Sequence, residues 1–135
     1  MKVYVGRVDG PMSWSVTMHE PYNDKILADL ASRTAKLLPP AYDLECLSPD
    51  GFAWGYLGAG SAQLALALLA DATDDDEQAL RLYQYFMQAV IAGLQKDEPW
   101  VMCSNVVKRF ALFMDKALQR QAAKAAEYVQ QGYEH

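Results

Sequence analysis

The residues best placed to do chemistry sit in mid-chain, where Gly58 and Gly60 separate an aromatic run, residues 52–56, from an apolar run that starts at Ala62. A glycine loop leading from a strand into a helix presents backbone amides at the positive end of that helix, and such amides hold anions. Trp54 and Tyr56 would then stack on a ring while the segment holding Gly58, Gly60, Ser61 and Gln63 meets a phosphate. The same glycines would also let a strand and a helix pack closely, and the sequence leaves both readings open. The Lys-Ser/Thr ending of a P-loop and the full dinucleotide spacing are missing.

A second group is the acidic run Asp71, Asp74, Asp75, Asp76 and Glu77. It lacks the alternate-position spacing of a calcium loop, so no metal is expected there. It reads either as the solvated start of a helix, with carboxylates at the positive end of the dipole, or as a contact surface for a basic partner. His19 beside Glu20 is an acid/base pair in principle, although a lone histidine at a strand end is ordinarily structural; His135 is the last residue. Cys46 and Cys103 have no metal-type spacing and read as buried, reduced thiols. No nucleophile elbow or HExxH occurs, so neither catalytic residues nor a cofactor are expected.

Composition narrows the class. At 135 residues, 52% hydrophobic and 21% charged, the chain has the size and balance of one soluble globular domain. The expectation is a domain over 1–118 and a helical extension over 119–135. No apolar run approaches a membrane span and the N-terminus has no apolar signal core, which points to the cytoplasm. The net charge of −5 is unevenly spread: residues 1–103 hold 7 Lys/Arg against 14 Asp/Glu, whereas residues 104–135 hold 5 against 3. An acidic body argues against direct nucleic-acid binding, which requires neutralising phosphates.

The elements that must position these groups follow from periodicity. Val3, Tyr4, Val5 and Val8 mark a strand, the Asp9-Gly10-Pro11 turn follows, and Trp14, Val16 and Met18 alternate with polar residues in a second strand with one wet face. Asn23 caps an expected helix carrying Ile26, Leu27, Leu30, Thr34, Leu37 and Leu38, stopped by Pro39-Pro40. Strands are expected over 44–47 and 52–56. A central helix follows, with Ser61 as N-cap and an apolar run over 62–69. Thr73 or Asp74 caps the next helix, whose face is Leu80, Tyr83, Met87, Val90, Ile91 and Leu94. A short extended piece over 100–102 precedes a last helix opening at Ser104 or Asn105 and packing through Val106, Val107, Phe110, Phe113, Met114 and Leu118. From Gln119 the sequence favours helix but has little to bury, so it should run past the globule and either stay in solvent or pair with another copy.

The words SPDGFAWGYLGAGSAQLALALL resemble the DUF6166 domain family, whose pattern runs HSPxGFxWGYxGSGPAQLALALL. Ser48, Pro49, Gly51, Phe52, Trp54, Gly55, Tyr56, Gly58, Gly60, Ala62, Gln63, Leu64 and Ala65 fall on it, whereas Leu47, Ala59 and Ser61 depart from it. The resemblance covers residues 44–113, with 19–40 and the tail after Met114 as this chain's own additions. It implies an accessory protein carried by phages and mobile elements, with no catalytic residues to transfer.

The fold expected is α+β: a small, mostly antiparallel sheet from the N-terminal half, packed against a central helix and two further helices, the last one long. The function expected is non-enzymatic binding of a host protein with a basic surface, inhibiting a defence system such as CRISPR. The alternative is a small-ligand or nucleotide-signal binder using the 54–63 segment, and a homo-oligomer through the last helix is a further expectation.

Overall fold

The computed structural model describes residues 2–11, 13–19 and 36–130. The expected α+β class is what it shows. Strands β1 (Val3–Gly10), β2 (Ser13–His19), β3 (Lys36–Leu37) and β4 (Trp100–Cys103) form one antiparallel sheet in the order β3-β2-β1-β4. Helices α1 (Ala59–Thr73), α2 (Asp76–Ala89) and α3 (Ser104–Gln130) pack against one another and share one hydrophobic core with the sheet, with a 3-10 turn at Ile91–Gly93 after α2. Among the described residues no helix is long and apolar enough to cross a membrane.

The pleat explains which sheet face meets the helices. Register pairs Tyr4 with Met18 and Met102, and Gly6 with Val16 and Trp100, so these side chains share one face. That face joins α1 in the core. Leu64, Leu66, Leu68 and Leu69 are completely buried there, because an apolar run without a polar side needs neighbours all round. Gly6 lets the Trp100 ring cross the strand; a Cβ there would collide with the indole at Nε1.

Several local expectations need correction. The helix expected over 23–38 lies mostly outside the described residues, as do Glu20, Pro21 and His135, but its last residues are extended: Lys36–Leu37 pair with β2, and Leu38 N–H donates to Val16 C=O at 2.9 Å. Residues 44–47 are not a strand. Ala41 takes φ 61°, and its carbonyl accepts from Leu44 N–H at 3.0 Å, folding the segment into a turn. Residues 52–56 also lie outside the sheet; of them Ala53 and Trp54 are buried, by packing rather than by a ladder. The wet face of β2 is confined to its start, since Thr17 and His19 are buried and share a 3.0 Å hydrogen bond. Cys46 is exposed and Cys103 half-buried.

Both cap assignments shift by a residue or more. α1 begins at Ala59 with Gly58 as N-cap, leaving Ser61 inside the first turn. Asp75 caps α2 by accepting from Gln78 N–H at 3.0 Å, while Asp74 ends α1 in the left-handed region at φ 52°. α2 buries Ala79, Leu82, Tyr83 and Phe86, and Leu80 is turned outward. α3 opens at Ser104 as expected, but its buried line is Ser104, Val107 and Ala111, with Val106 and Phe113 exposed. Phe86 and Phe110 meet with ring centroids 5.0 Å apart, and Arg81 grips Asp115 at 2.8 Å, fixing α2 to α3. Burial of Asp115 pushes its carboxyl up, but hydrogen bonds from Arg81 and Gln78 outweigh this and hold it below the ordinary value. From Gln119 to Gln130 every residue of α3 is exposed.

Candidate functional sites at the two ends of the central helix

The segment before α1 is built around Trp54. Its ring packs against Trp14 (6.1 Å between centroids) and edge-on to Trp100 (5.6 Å), and its Nε1 donates to Glu98 C=O at 2.9 Å. With the residue 2% exposed, both ring and N–H are committed inside the protein. Gly55 follows with φ 85°, and a Cβ there would come within 2.6 Å of the Lys96 backbone. Gly60 has the same character, since a Cβ would meet Ala53 N at 2.9 Å. These two glycines are required by close backbone approach. Tyr56 is exposed, with Lys96 Nζ 5.2 Å from its ring centre.

Gln63 occupies a different role from its neighbours in sequence. It is 0% exposed, and its Oε1 accepts from Leu47 N–H (2.7 Å) and Ser48 N–H (3.0 Å). Its Nε2 donates to Pro40 C=O and to Glu45 C=O at 3.1 Å. An amide offers two donors and two lone pairs, so all four are spent holding the 40–48 segment onto α1. Ser61 is equally buried, and its Oγ has no hydrogen-bond partner.

Beside the N-terminus of α1 lies a cavity of about 510 Å³, lined by Ser13, Trp14, Ser48, Asp50, Gly51, Phe52, Ala53, Tyr56, Ala59 and Gly60. Of the expected ligand residues, Tyr56 and Gly60 line it; Gly58 is the N-cap of the adjoining helix, and Trp54, Ser61 and Gln63 are not on its wall.

The opposite end of α1 carries the acidic group. Asp71, Asp74 and Asp76 line a cleft of about 430 Å³ together with Asp43, Lys2, Pro39, Ala41, Leu44, Ala67 and Ala70. Asp71 is tied down: Tyr4 Oη donates to it at 2.7 Å and Lys2 Nζ at 3.2 Å. Asp75 and Glu77 are not on the cleft wall, Asp75 being engaged as the cap of α2. Four carboxylates against one ammonium give the cleft a negative balance, and Pro39, Ala41, Leu44, Ala67 and Ala70 make up its apolar lining. Among the described residues no three His, Cys, Asp or Glu side chains converge closely enough to hold a metal ion.

The family of unknown function DUF6166 matches residues 24–113, two thirds of the chain. The chain belongs to the DUF6166 family. No curated protein and no solved structure matches it. The DUF6166 match begins at residue 24, so residues 24–40 belong to the family segment rather than being an addition peculiar to this chain. It contains β3, α1, α2 and β4, whereas Lys2, Ser13 and Trp14, which complete the two concave sites, come from the hairpin outside it. Asp43, Ser48 and Trp14 were not legible as site residues. Each is brought to its place by tertiary packing, and only the Ser48-Pro49 dipeptide of the DUF6166 pattern carried a hint.

Proposed function

We propose that this member of the DUF6166 family is a non-enzymatic binding protein whose acidic cleft receives a basic side chain of a partner protein. One observation carries the reading: Asp43, distant in sequence, joins Asp71, Asp74 and Asp76 on the wall of one cleft whose remaining lining, Lys2 aside, is apolar. An arginine or lysine fits such a site with its stem on Pro39, Leu44 and Ala67 and its charge on the rim. The setting suggested by the family resemblance is the cytoplasm of a bacterium. There the partner is a host defence protein, a CRISPR component among the first to test, inhibited by direct contact in the service of a phage or mobile element.

The test is affinity purification from the native host with the wild type and with Asp43→Lys, Asp74→Lys and Asp76→Lys combined. Asp71 and Asp75 stay untouched because both support the fold. The reading expects the partner to be lost from the variant and to elute from the wild type at raised salt. Retention of every partner by the variant ends it. We further propose a homo-oligomer through the exposed end of α3, checked by comparing the solution mass of the full chain with one ending at Leu118.

A second reading is supported by the cavity beside the N-terminus of α1: the protein binds a small ligand there, through Tyr56 and the Gly58–Gly60 turn. A rise in melting temperature with one compound of a nucleotide panel would support it, by mass action.

A further inference from the structure

We infer that the cavity at the start of α1 is an anion site for a nucleoside-monophosphate-type ligand, with Ser48 as the side chain that meets the phosphate; this rests on the second reading above. Three observations converge. First, α1 is 15 residues long and begins without a side-chain cap or an acidic residue in its first turn. Its first backbone closure is Ala62 N–H to Gly58 C=O at 2.9 Å, so the amides of Ala59, Gly60 and Ser61 have no carbonyl one turn earlier in the helix. An open helix start attracts negative charge.

Second, Ser48 is 8% exposed and lines the same cavity. Its backbone is fully used: N–H donates to Gln63, and C=O accepts from Tyr42 Oη and Gly51 N–H. Its Oγ has no hydrogen bond and is not among the occluded side-chain oxygens, so it opens on the cavity. Ser48 as a residue is more than nine-tenths buried, and its accessible, unbonded hydroxyl is free to donate to a group that enters the cavity.

Third, the remaining wall is aromatic. Trp14, Phe52 and Tyr56 offer ring surface, and the volume of about 510 Å³ falls in the range of small-ligand pockets. Asp50 also lines the cavity. A carboxylate beside an anion site repels a bare phosphate but accepts hydrogen bonds from ribose hydroxyls or an exocyclic amine. The group of donors and rings therefore selects a ligand that carries an anion, a planar ring and hydrogen-bond donors together. Gln63 takes no part in contact; it holds Ser48 in place through the backbone.

The experiment is titration calorimetry of the full chain with adenosine, guanosine and cytidine 5′-monophosphates, the three nucleosides, and inorganic phosphate. It is repeated on Ala59→Glu and Ser48→Ala. Ala59 is exposed, and an acidic residue in a first helical turn favours the helix, so Ala59→Glu should keep or raise the melting temperature while filling the anion position. The inference expects at least one nucleotide to bind about tenfold or more tightly than its nucleoside. Binding should vanish in Ala59→Glu and weaken about tenfold in Ser48→Ala, the size of one hydrogen bond to a charged group. If a nucleotide and its nucleoside bind alike, and alike to Ala59→Glu, the cavity takes a ligand but the anion assignment is wrong. Inorganic phosphate binding as tightly as the nucleotides overturns the aromatic part. Absence of any binding at millimolar concentration overturns both this inference and the second reading.

Discussion

Replacing Gln63 by glutamate changes one NH₂ group into an oxygen at a site where every hydrogen-bonding position is taken. The two bonds received from Leu47 and Ser48 N–H survive, but the new oxygen faces the carbonyls of Pro40 and Glu45 where Nε2 donated to both. Protonated, the substituted carboxyl donates to one of them and loses one bond, about 1 kcal/mol net. Ionised, it sets a buried charge against two carbonyl oxygens, so its pKa in the folded protein rises above the ordinary value of about 4.3. Keeping it protonated at pH 7 costs about 1.4 kcal/mol per unit from 4.3, or about 3.7 kcal/mol, which caps the total near 5 kcal/mol. The sign follows from the raised folded pKa: the stability is present at low pH and is lost as pH rises. Gln63→Glu should therefore lose about 3–5 kcal/mol at pH 7 and about 1 kcal/mol at pH 4, relative to wild type at the same pH. Urea unfolding at the two values measures this. A loss under 1 kcal/mol at pH 7, or one equal at both values, would refute the claim that this amide clamps the 40–48 segment.

The remaining predictions concern packing and charge. Gly60→Ala forces a methyl against Ala53 and should destabilise the fold by about 1–3 kcal/mol in thermal unfolding. Ser61→Ala removes a buried hydroxyl without a partner and should raise stability by about 1 kcal/mol, so a drop would show that Ser61 Oγ is bonded in solution. Asp115→Asn should cost up to about 1 kcal/mol at neutral pH, because its carboxyl is held below the usual range by Arg81 and Gln78. The depressed folded pKa means that this difference fades as pH falls through and below about 4; a constant difference would show that the ion pair is not its source.

Much of the fold was legible because the strongest local patterns agreed with the tertiary structure. The run over 62–69 is apolar on all sides, and such a helix has to be the core element; α1 is that element. The alternation at Trp14, Val16 and Met18 gave the helix-facing side of β2. What misled was burial without a ladder. Residues 52–56 are dense in aromatics because Trp54 plugs the space between Trp14 and Trp100, and one-dimensional patterns do not separate a plug from a strand. The short extended piece over 100–102 was legible and is β4, but four residues carry no pattern that says they pair with β1 as an edge of the sheet. At the candidate sites, Asp71, Asp74 and Asp76 were visible as a run, whereas Asp43 joins them only because Gln63 and the Ala41 turn fold residues 40–48 back over α1. Ser48 was hidden likewise: a serine before proline announces a turn, and its unbonded hydroxyl is known only from what surrounds it.

The acidic cleft as a partner-binding surface is tested most directly by photo-crosslinking in the native host. A benzophenone amino acid is placed in turn at Asp43, on the cleft wall, and at Tyr85, exposed on α2 and not part of that wall. The account predicts one protein captured from position 43 and not from position 85, crosslinked next to an arginine or lysine, with capture lost on adding Asp74→Lys and Asp76→Lys. Equal capture of that protein from both positions, undiminished by the charge reversals, would contradict it.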